Sequence, residues 1–359
     1  MPQEKKLDLT FRIYSHFDAD GGIAAAIFGR FIHNRYAPYG WNVEIVPVNH
    51  VSVTGLEWFQ TKIQWPCAIL DFTLHPQLLS GRFFHKKEEY IRAGMKEEHI
   101  PPTYWIDHHP TGSSYPFLDA ANAAQIMPHV TSIWDITAIS TPGLLRTHHK
   151  TLGIPPSLLY DYEEFIDLAE IVDGALFATG QAAHDFQSPA VKLQTIFAPT
   201  HPAVDRYVLY KYAVQSIMKS PSVEGFFDSD PLYTAIVQHE EREHVRKLKA
   251  YKRVTKVKGK VAVCLFETNS EHVPMGRFLP YLLYPEVNYA LHALPKGKGW
   301  YALSCGVNPW NKPVAPEKHI GRYFEKNFGG GGHAFVAGGQ VQHDELRKLD
   351  ELVSFLNEA

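Results

Sequence analysis

The chain reads as an α/β protein of two domains joined by a helical linker, and three observations predict this. Its 359 residues exceed what one average core accommodates. In the first half, short apolar runs alternate with segments of helical period, the pattern of parallel strands joined by right-handed crossovers. Prolines at 189, 199, 202, 221 and 231 then interrupt the chain before a second region where strands recur at short intervals. Residues 1–190 are thus expected to form a parallel-sheet domain with helices on both faces. Residues 191–258 are read as the helical linker and 259–359 as a smaller α/β domain, with a cleft between the two domains.

Composition narrows the function. A formal charge of -3 argues against a broadly basic coat for long nucleic acids and leaves short ones admissible. Three distant cysteines, Cys67, Cys264 and Cys305, contain no C-x-x-C pair and suggest reduced core thiols of a cytoplasmic protein. The first residues lack an apolar signal segment, and no apolar run is long enough to span a bilayer, so no membrane partner is expected.

The first strand follows from Leu7, Leu9, Phe11 and Ile13, which alternate with polar residues. It ends in Ser15-His16-Phe17-Asp18-Ala19-Asp20-Gly21-Gly22, ahead of Ile23-Ala24-Ala25-Ala26-Ile27-Phe28, small and apolar enough for a helix on a sheet. Residues two apart in an extended segment point the same way, so Asp18 and Asp20 can converge. Two carboxylates that close repel unless a cation lies between them. The plainer reading makes Asp20 a helix N-cap and leaves Asp18 solvated.

Val43 to Val48 reads as a second strand and Cys67-Ala68-Ile69-Leu70 as a third, buried one that stops at Asp71. Tyr104-Trp105-Ile106 is a fourth, stopping at Asp107-His108-His109. Helical stretches fall around Leu56 to Lys62 and Gln77 to Met95. In parallel sheets ligands bind beyond the carboxyl ends of the strands, where all these polar groups fall. One aspartate there is ordinarily a turn former. Three strands ending in ligand-type side chains are harder to assign to turns. From Tyr160 the spacing of Phe165, Leu168, Ala169 and Val172 predicts an amphipathic helix with acids at its start. Asp173 closes that helix, where the dipole disfavours a carboxylate and a partner is expected.

His16-x-Asp18-x-Asp20-Gly21, then Asp71 after a strand, then Asp107-His108-His109, then Asp173 after a helix, resembles the four ordered motifs of the DHH phosphoesterase superfamily, which includes nanoRNase/pAp-phosphatase-like and RecJ-like phosphodiesterases. The resemblance covers about the first half of the chain. It implies two divalent metal ions, Mn²⁺ first and Mg²⁺ second, held by Asp18, Asp20, Asp71, His108 and Asp173, with Asp71 bridging. His16 lies two residues before the first acid, where some members place the histidine four before, and is carried as a ligand candidate. By the same resemblance Asp107 holds His108 in orientation and His109 faces the scissile phosphate. An oxygen-rich set with imidazoles suits Mn²⁺ or Mg²⁺ better than Zn²⁺.

In the second half, Val204 to Met218 and Tyr233 to Val254 read as helices. Val261 to Phe266, Tyr289 to Leu294 and Trp300 to Cys305 read as strands, with a turn at Lys296-Gly297-Lys298-Gly299. Pro274 to Tyr284 and Glu317 to Asn327 read as helical. Gly329-Gly330-Gly331-Gly332-His333, followed by Ala337-Gly338-Gly339, can cradle an anion on its amides or form a mobile turn. It also resembles the signature of the DHH-associated C-terminal domain. That resemblance implies nucleotide contacts from Gly330, Gly331, Gly332 and His333, with Arg277 and Arg322 as weaker candidates. Where many relatives that cleave very short RNA carry a Ser-Arg-Ser-like strand end, this chain has Ser304-Cys305-Gly306.

The function expected from these motifs is hydrolysis of phosphoester bonds in short oligonucleotides, dinucleotides or nucleotide bisphosphates by a two-metal-activated water. The alternatives are a cyclic-dinucleotide phosphodiesterase, a RecJ-like single-strand exonuclease and a non-catalytic nucleotide-binding protein. A homodimer is admitted as a partner state.

Overall fold

The structure, a computed structural model, describes residues 7–48, 63–72, 87–109, 130–201, 203–267, 276–311, 318–332 and 334–358. The chain divides into two compact units. One is Met1–Ala175 with Pro189–Val237, and the other Leu176–Ser188 with Gln238–Ala359.

The first unit is built on five parallel strands, β1 (Thr10–His16), β2 (Asn42–Val48), β3 (Cys67–Leu70), β4 (Thr103–Asp107) and β5 (Val130–Trp134). They lie in the order β2-β1-β3-β4-β5, and each neighbouring pair is parallel. Every residue of β3 and β4 is buried, as parallel strands covered on both faces require. From β1 the chain goes first to β2 on one side and then to β3 on the other. The sheet therefore has a topological switch point between β1 and β3, the place where ligands bind in such folds.

Helix Ala19–Tyr36 is apolar nearly all round, with Ile23, Ile27, Phe28, Phe31 and Ile32 buried, the signature of a central helix. Fully burying each such side chain contributes about 1.5–3 kcal/mol. It packs on β1 and β2 and against helices Thr141–Thr147, Glu163–Asp173 and Arg206–Lys219. Arg146 ties two of these together: its guanidinium is 2.7 Å from Glu163 and Glu170 and 2.9 Å from Asp167. Of the acids read as favouring a helix start, Glu163 thus also anchors a neighbouring helix.

The second unit carries a six-stranded sheet. Its strands are β6 (Thr255–Lys258), β7 (Val261–Leu265), β8 (Tyr289–Gly297), β9 (Trp300–Val307), β10 (Gly331–Gly332) and β11 (Val336–Gln342), in the order β10-β11-β9-β8-β7-β6. Strands β7 and β8 are parallel, and the other neighbours are antiparallel. Its core joins Leu291, Leu303 and Cys305 to Ile320 and Phe324 and to Leu352 and Leu356 of a C-terminal helix, Lys348–Asn357. Of the helix read from Pro274 to Tyr284, residues 274 and 275 lie outside the described residues, and the helix seen is Leu279–Leu283. Strand β11 falls on the glycine-rich segment, where pattern alone suggested a turn. The stretches read as helical at 56–62 and 77–86 lie outside the described residues, whereas Lys87–Arg92 is helical. All three cysteines are free and buried. Among the described residues no helix is long and apolar enough to cross a membrane.

Candidate metal centre

Strand ends bring the first unit's ligand-type residues together. His16 is the last residue of β1, Asp107 the last of β4, and Asp71 follows β3 directly. Asp71 adopts φ 65°, a left-handed conformation that aspartate tolerates better than most residues. Its amide donates to the Ile106 carbonyl at 2.9 Å. Asp18 caps the Ala19–Tyr36 helix by accepting from Gly21 N. The cap is thus Asp18, and Asp20, assigned to that task by the plainer sequence reading, is buried in the first turn. A Cβ on Gly21 would run into the His16 carbonyl oxygen, so glycine lets the helix start close against the strand end.

Three overlapping groups result, each with its candidate ligand atoms within 4.8 Å of one another: His16, Asp18 and Asp71; Asp71, His108 and His109; Asp20, His108 and Asp173. Asp71 joins the first two. Its Oδ2 lies 3.6 Å from His16 Nδ1, while its Oδ1 lies 3.3 Å from His108 Nε2 and 3.8 Å from His109 Nδ1. His108 Nε2 is also 3.5 Å from Asp20 Oδ2 and 3.7 Å from Asp173 Oδ2. His16 Nδ1 pairs with Asp18 Oδ2 at 2.7 Å.

The electrostatics follow from burying several acids at one point. Burial and the charge of Asp71 push the Asp20 carboxyl well above its usual range. Burial also opposes ionisation of Asp71, but the imidazoles of His108, His16 and His109 outweigh it and hold that carboxyl well below. Burial alone would lower both histidines. The flanking carboxylates prevail, raising His16 to about 11, through Asp18 and Asp71, and His108 to about 12, through Asp20 and Asp71. The site is built to hold positive charge.

The residues fit a divalent cation. Asp20 Oδ1 and Asp71 Oδ2 are buried and have no hydrogen-bond donor among the described residues, an arrangement that is costly for carboxylates unless a cation compensates them. The donor set, mainly carboxylate with imidazole, is of the kind that Mn²⁺ and Mg²⁺ favour over zinc.

No protein-family model matches the chain, and no curated protein matches it by sequence. Among solved structures it is similar to the pGpG-specific phosphodiesterase PggH from Vibrio cholerae, with a TM-score of 0.63 at 16% identity over 97% of this chain and 99% of that one. The chain shares the fold of that protein over nearly the full length of both. CDC45 from Entamoeba histolytica is also similar, with a TM-score of 0.53 at 9% identity over 98% of this chain and 95% of that one.

Within this fold, one orientation differs from expectation. Asp107 accepts from the His109 backbone N at 3.2 Å and pairs with His109 Nδ1 at 2.8 Å. His108 Nδ1 instead faces the Ala138 carbonyl at 3.3 Å. The Asp-His-His order suggests that the acid serves its immediate neighbour. Successive strand residues point to opposite faces, however, so the residue two positions on shares its side. Burial opposes protonation of His109, but Asp107 and Asp71 raise it to about 9.

Several contributors carry no motif. Thr141 reaches both Asp20 and Asp71. The indole of Trp134 donates to the His109 carbonyl at 2.8 Å, and Tyr210 donates to the His16 carbonyl at 2.8 Å. The one signal available for Thr141 was Ser140-Thr141-Pro142, a cap and helix start.

In the second unit, a Cβ on Gly330 or Gly332 would run into the backbone of the facing strand β11, so these glycines allow close strand pairing. Gly331 has open space at its Cβ position. Arg277 and Arg322 are exposed, with the Arg277 guanidinium over the neighbouring Phe278 ring. His333 lies outside the described residues.

Proposed function

We propose that the protein is a metal-dependent phosphoester hydrolase acting on short oligonucleotides, dinucleotides or nucleotide bisphosphates. The observation that carries this reading is the set of overlapping acid and imidazole groups, joined through Asp71 and His108, at the carboxyl edge of a parallel sheet. The fold shared with a protein named as a pGpG-specific phosphodiesterase, over nearly the full length of both chains, supports a short nucleotide as substrate.

Asp18, Asp20, Asp71, His108 and Asp173, with His16, would hold two divalent cations, Mn²⁺ or Mg²⁺. When bound, such cations supply positive charge that offsets the phosphate and acidifies water. Burial of Asp20, Asp71 and His108 keeps bulk water from screening the charges of the centre. Asp107 anchors His109 through Nδ1, and the imidazole so oriented would donate to a phosphoryl oxygen or move a proton at the leaving oxygen. Gly331, His333, Arg277 and Arg322 remain candidates for the nucleotide itself, with Gly330 and Gly332 shaping the strand pair beside Gly331.

The test is a panel of linear and cyclic dinucleotides, pAp and short oligomers, each with Mn²⁺, read by product chromatography on wild type and Asp71→Asn. Mn²⁺-dependent cleavage of a linear short substrate, abolished in Asp71→Asn, is the expected result. Tight nucleotide binding without phosphoester cleavage in any divalent metal would overturn the hydrolase reading. Preference for cyclic substrates would replace the substrate class.

A further inference from the structure

We propose that Thr141 is the positioning residue of the centre, a clamp that holds Asp20 and Asp71 side by side for a cation. This rests on the reading of the cluster as a metal centre. Thr141 is fully buried and opens the Thr141–Thr147 helix, which Ser140 caps by accepting from Gly143 N. First-turn amides have no partner within their helix. The Thr141 amide spends its proton on Asp20 Oδ2 at 2.9 Å, and its hydroxyl donates to Asp71 Oδ1 at 3.0 Å.

One residue thus touches two acids that arrive on different segments of the chain. Left alone, these like charges would turn apart or share a proton. With both clamped, one oxygen of each is engaged by Thr141, while Asp20 Oδ1 and Asp71 Oδ2 stay buried without a donor among the described residues. Those two atoms are therefore held in place with lone pairs directed to a cation. The clamp has a rigid base. Arg146, on the same helix, bonds to Glu163, Asp167 and Glu170 of the helix that ends in Asp173. Thr141 and Asp173 are thereby held on one braced pair of helices.

A purely structural hydroxyl and a clamp predict different results. Replacing Thr141 by Val keeps the shape and the amide donor but removes the bond to Asp71. Replacing it by Ser restores the hydroxyl. The experiment titrates Mn²⁺ by calorimetry into the metal-free full-length wild type, Thr141→Val, Thr141→Ser and Asp71→Asn, with melting of each metal-free protein as the check on folding. Outer partners of metal ligands are typically worth about 10–100-fold in affinity, and Thr141→Val is expected to weaken Mn²⁺ binding by that much while Thr141→Ser binds as wild type does. Should Val not be accommodated, Thr141→Ala, which also keeps the amide, is read in the same way. Mn²⁺ binding abolished by Asp71→Asn but unchanged in Thr141→Val overturns the clamp alone. A wild type that takes up no Mn²⁺ overturns the metal centre, and the clamp with it.

Discussion

Asp107 holds His109 and leaves its neighbour His108 to a backbone carbonyl: Asp107 Oδ1 lies 2.8 Å from His109 Nδ1, and His108 Nδ1 lies 3.3 Å from Ala138 O. The two adjacent imidazoles are thus oriented by different partners. Asp107→Asn keeps an acceptor for His109 but removes the charge that supports its protonation. Turnover is expected to fall by about 10–100-fold, the usual cost of losing such an orienting partner, with Mn²⁺ affinity unchanged. Steady-state kinetics and a metal titration on the same protein separate the two, and equal losses in both would place Asp107 among the metal-holding groups.

Tyr210 reaches the end of β1 from a helix nearly two hundred residues away. Its fully buried phenol donates to the His16 carbonyl, so the 2.8 Å contact with Ser15 Oγ uses the serine as donor. Tyr210→Phe leaves both partners buried without it. The expected loss is about 1–3 kcal/mol, the cost of an unsatisfied buried polar group, measured by urea denaturation of the metal-free protein. An unchanged midpoint would mean that another donor replaces the phenol.

Gly21 and Gly22 are adjacent, yet their substitution is expected to differ. An added methyl on Gly21 meets the His16 carbonyl, whereas on Gly22 it meets the Phe197 ring. A ring can turn and a strand end cannot without moving His16 and Asp18. Overpacking costs about 1–3 kcal/mol in general. Gly21→Ala should also lose Mn²⁺ affinity, while Gly22→Ala should lose stability alone. Calorimetry on both variants decides, and equal affinities would contradict the role assigned to the close approach.

His292 in the second unit gives a pH dependence. Burial drives its pKa down from the ordinary 6.5 to about 4, against backbone hydrogen bonds at Gly276 and Ser304 that raise it. The folded protein keeps this imidazole neutral while the unfolded chain takes up a proton near pH 6.5. The associated stability is therefore full above about pH 6.5 and is lost as pH falls toward 4. The shift corresponds to roughly 3 kcal/mol at about 1.4 kcal/mol per unit. Denaturant midpoints across that range should fall more steeply for wild type than for His292→Leu, and parallel curves would remove His292 as the cause.

Much of the centre was legible because strand termini announce themselves. An apolar run that stops at a charged residue, as Cys67 to Leu70 stops at Asp71, marks where the backbone leaves the sheet, and parallel strands leave on one edge. Spacing likewise gave the helix ending in Asp173. Beyond these, the sequence leaves cap and buried acid interchangeable at Asp18 and Asp20. Both are aspartates two residues apart, and the difference lies in which one the helix start turns inward. The glycine-rich segment read as a turn because composition cannot show a facing strand, and pairing with β9 makes Val336–Gln342 extended.

What the sequence alone determined is the order of the strands along the chain and the ligand-type side chains at their ends, since these depend on local period and residue chemistry. Tertiary structure decided which of those side chains share an atom's neighbourhood and which residues hold them there. Thr141, Trp134, Ala138 and Tyr210 act through an amide, an indole, a carbonyl and a phenol brought in from distant segments, and contacts of that kind leave no periodicity to read. The physical reason is that a buried carboxylate is satisfied by whatever donor packing delivers to it, and only the folded chain specifies that delivery.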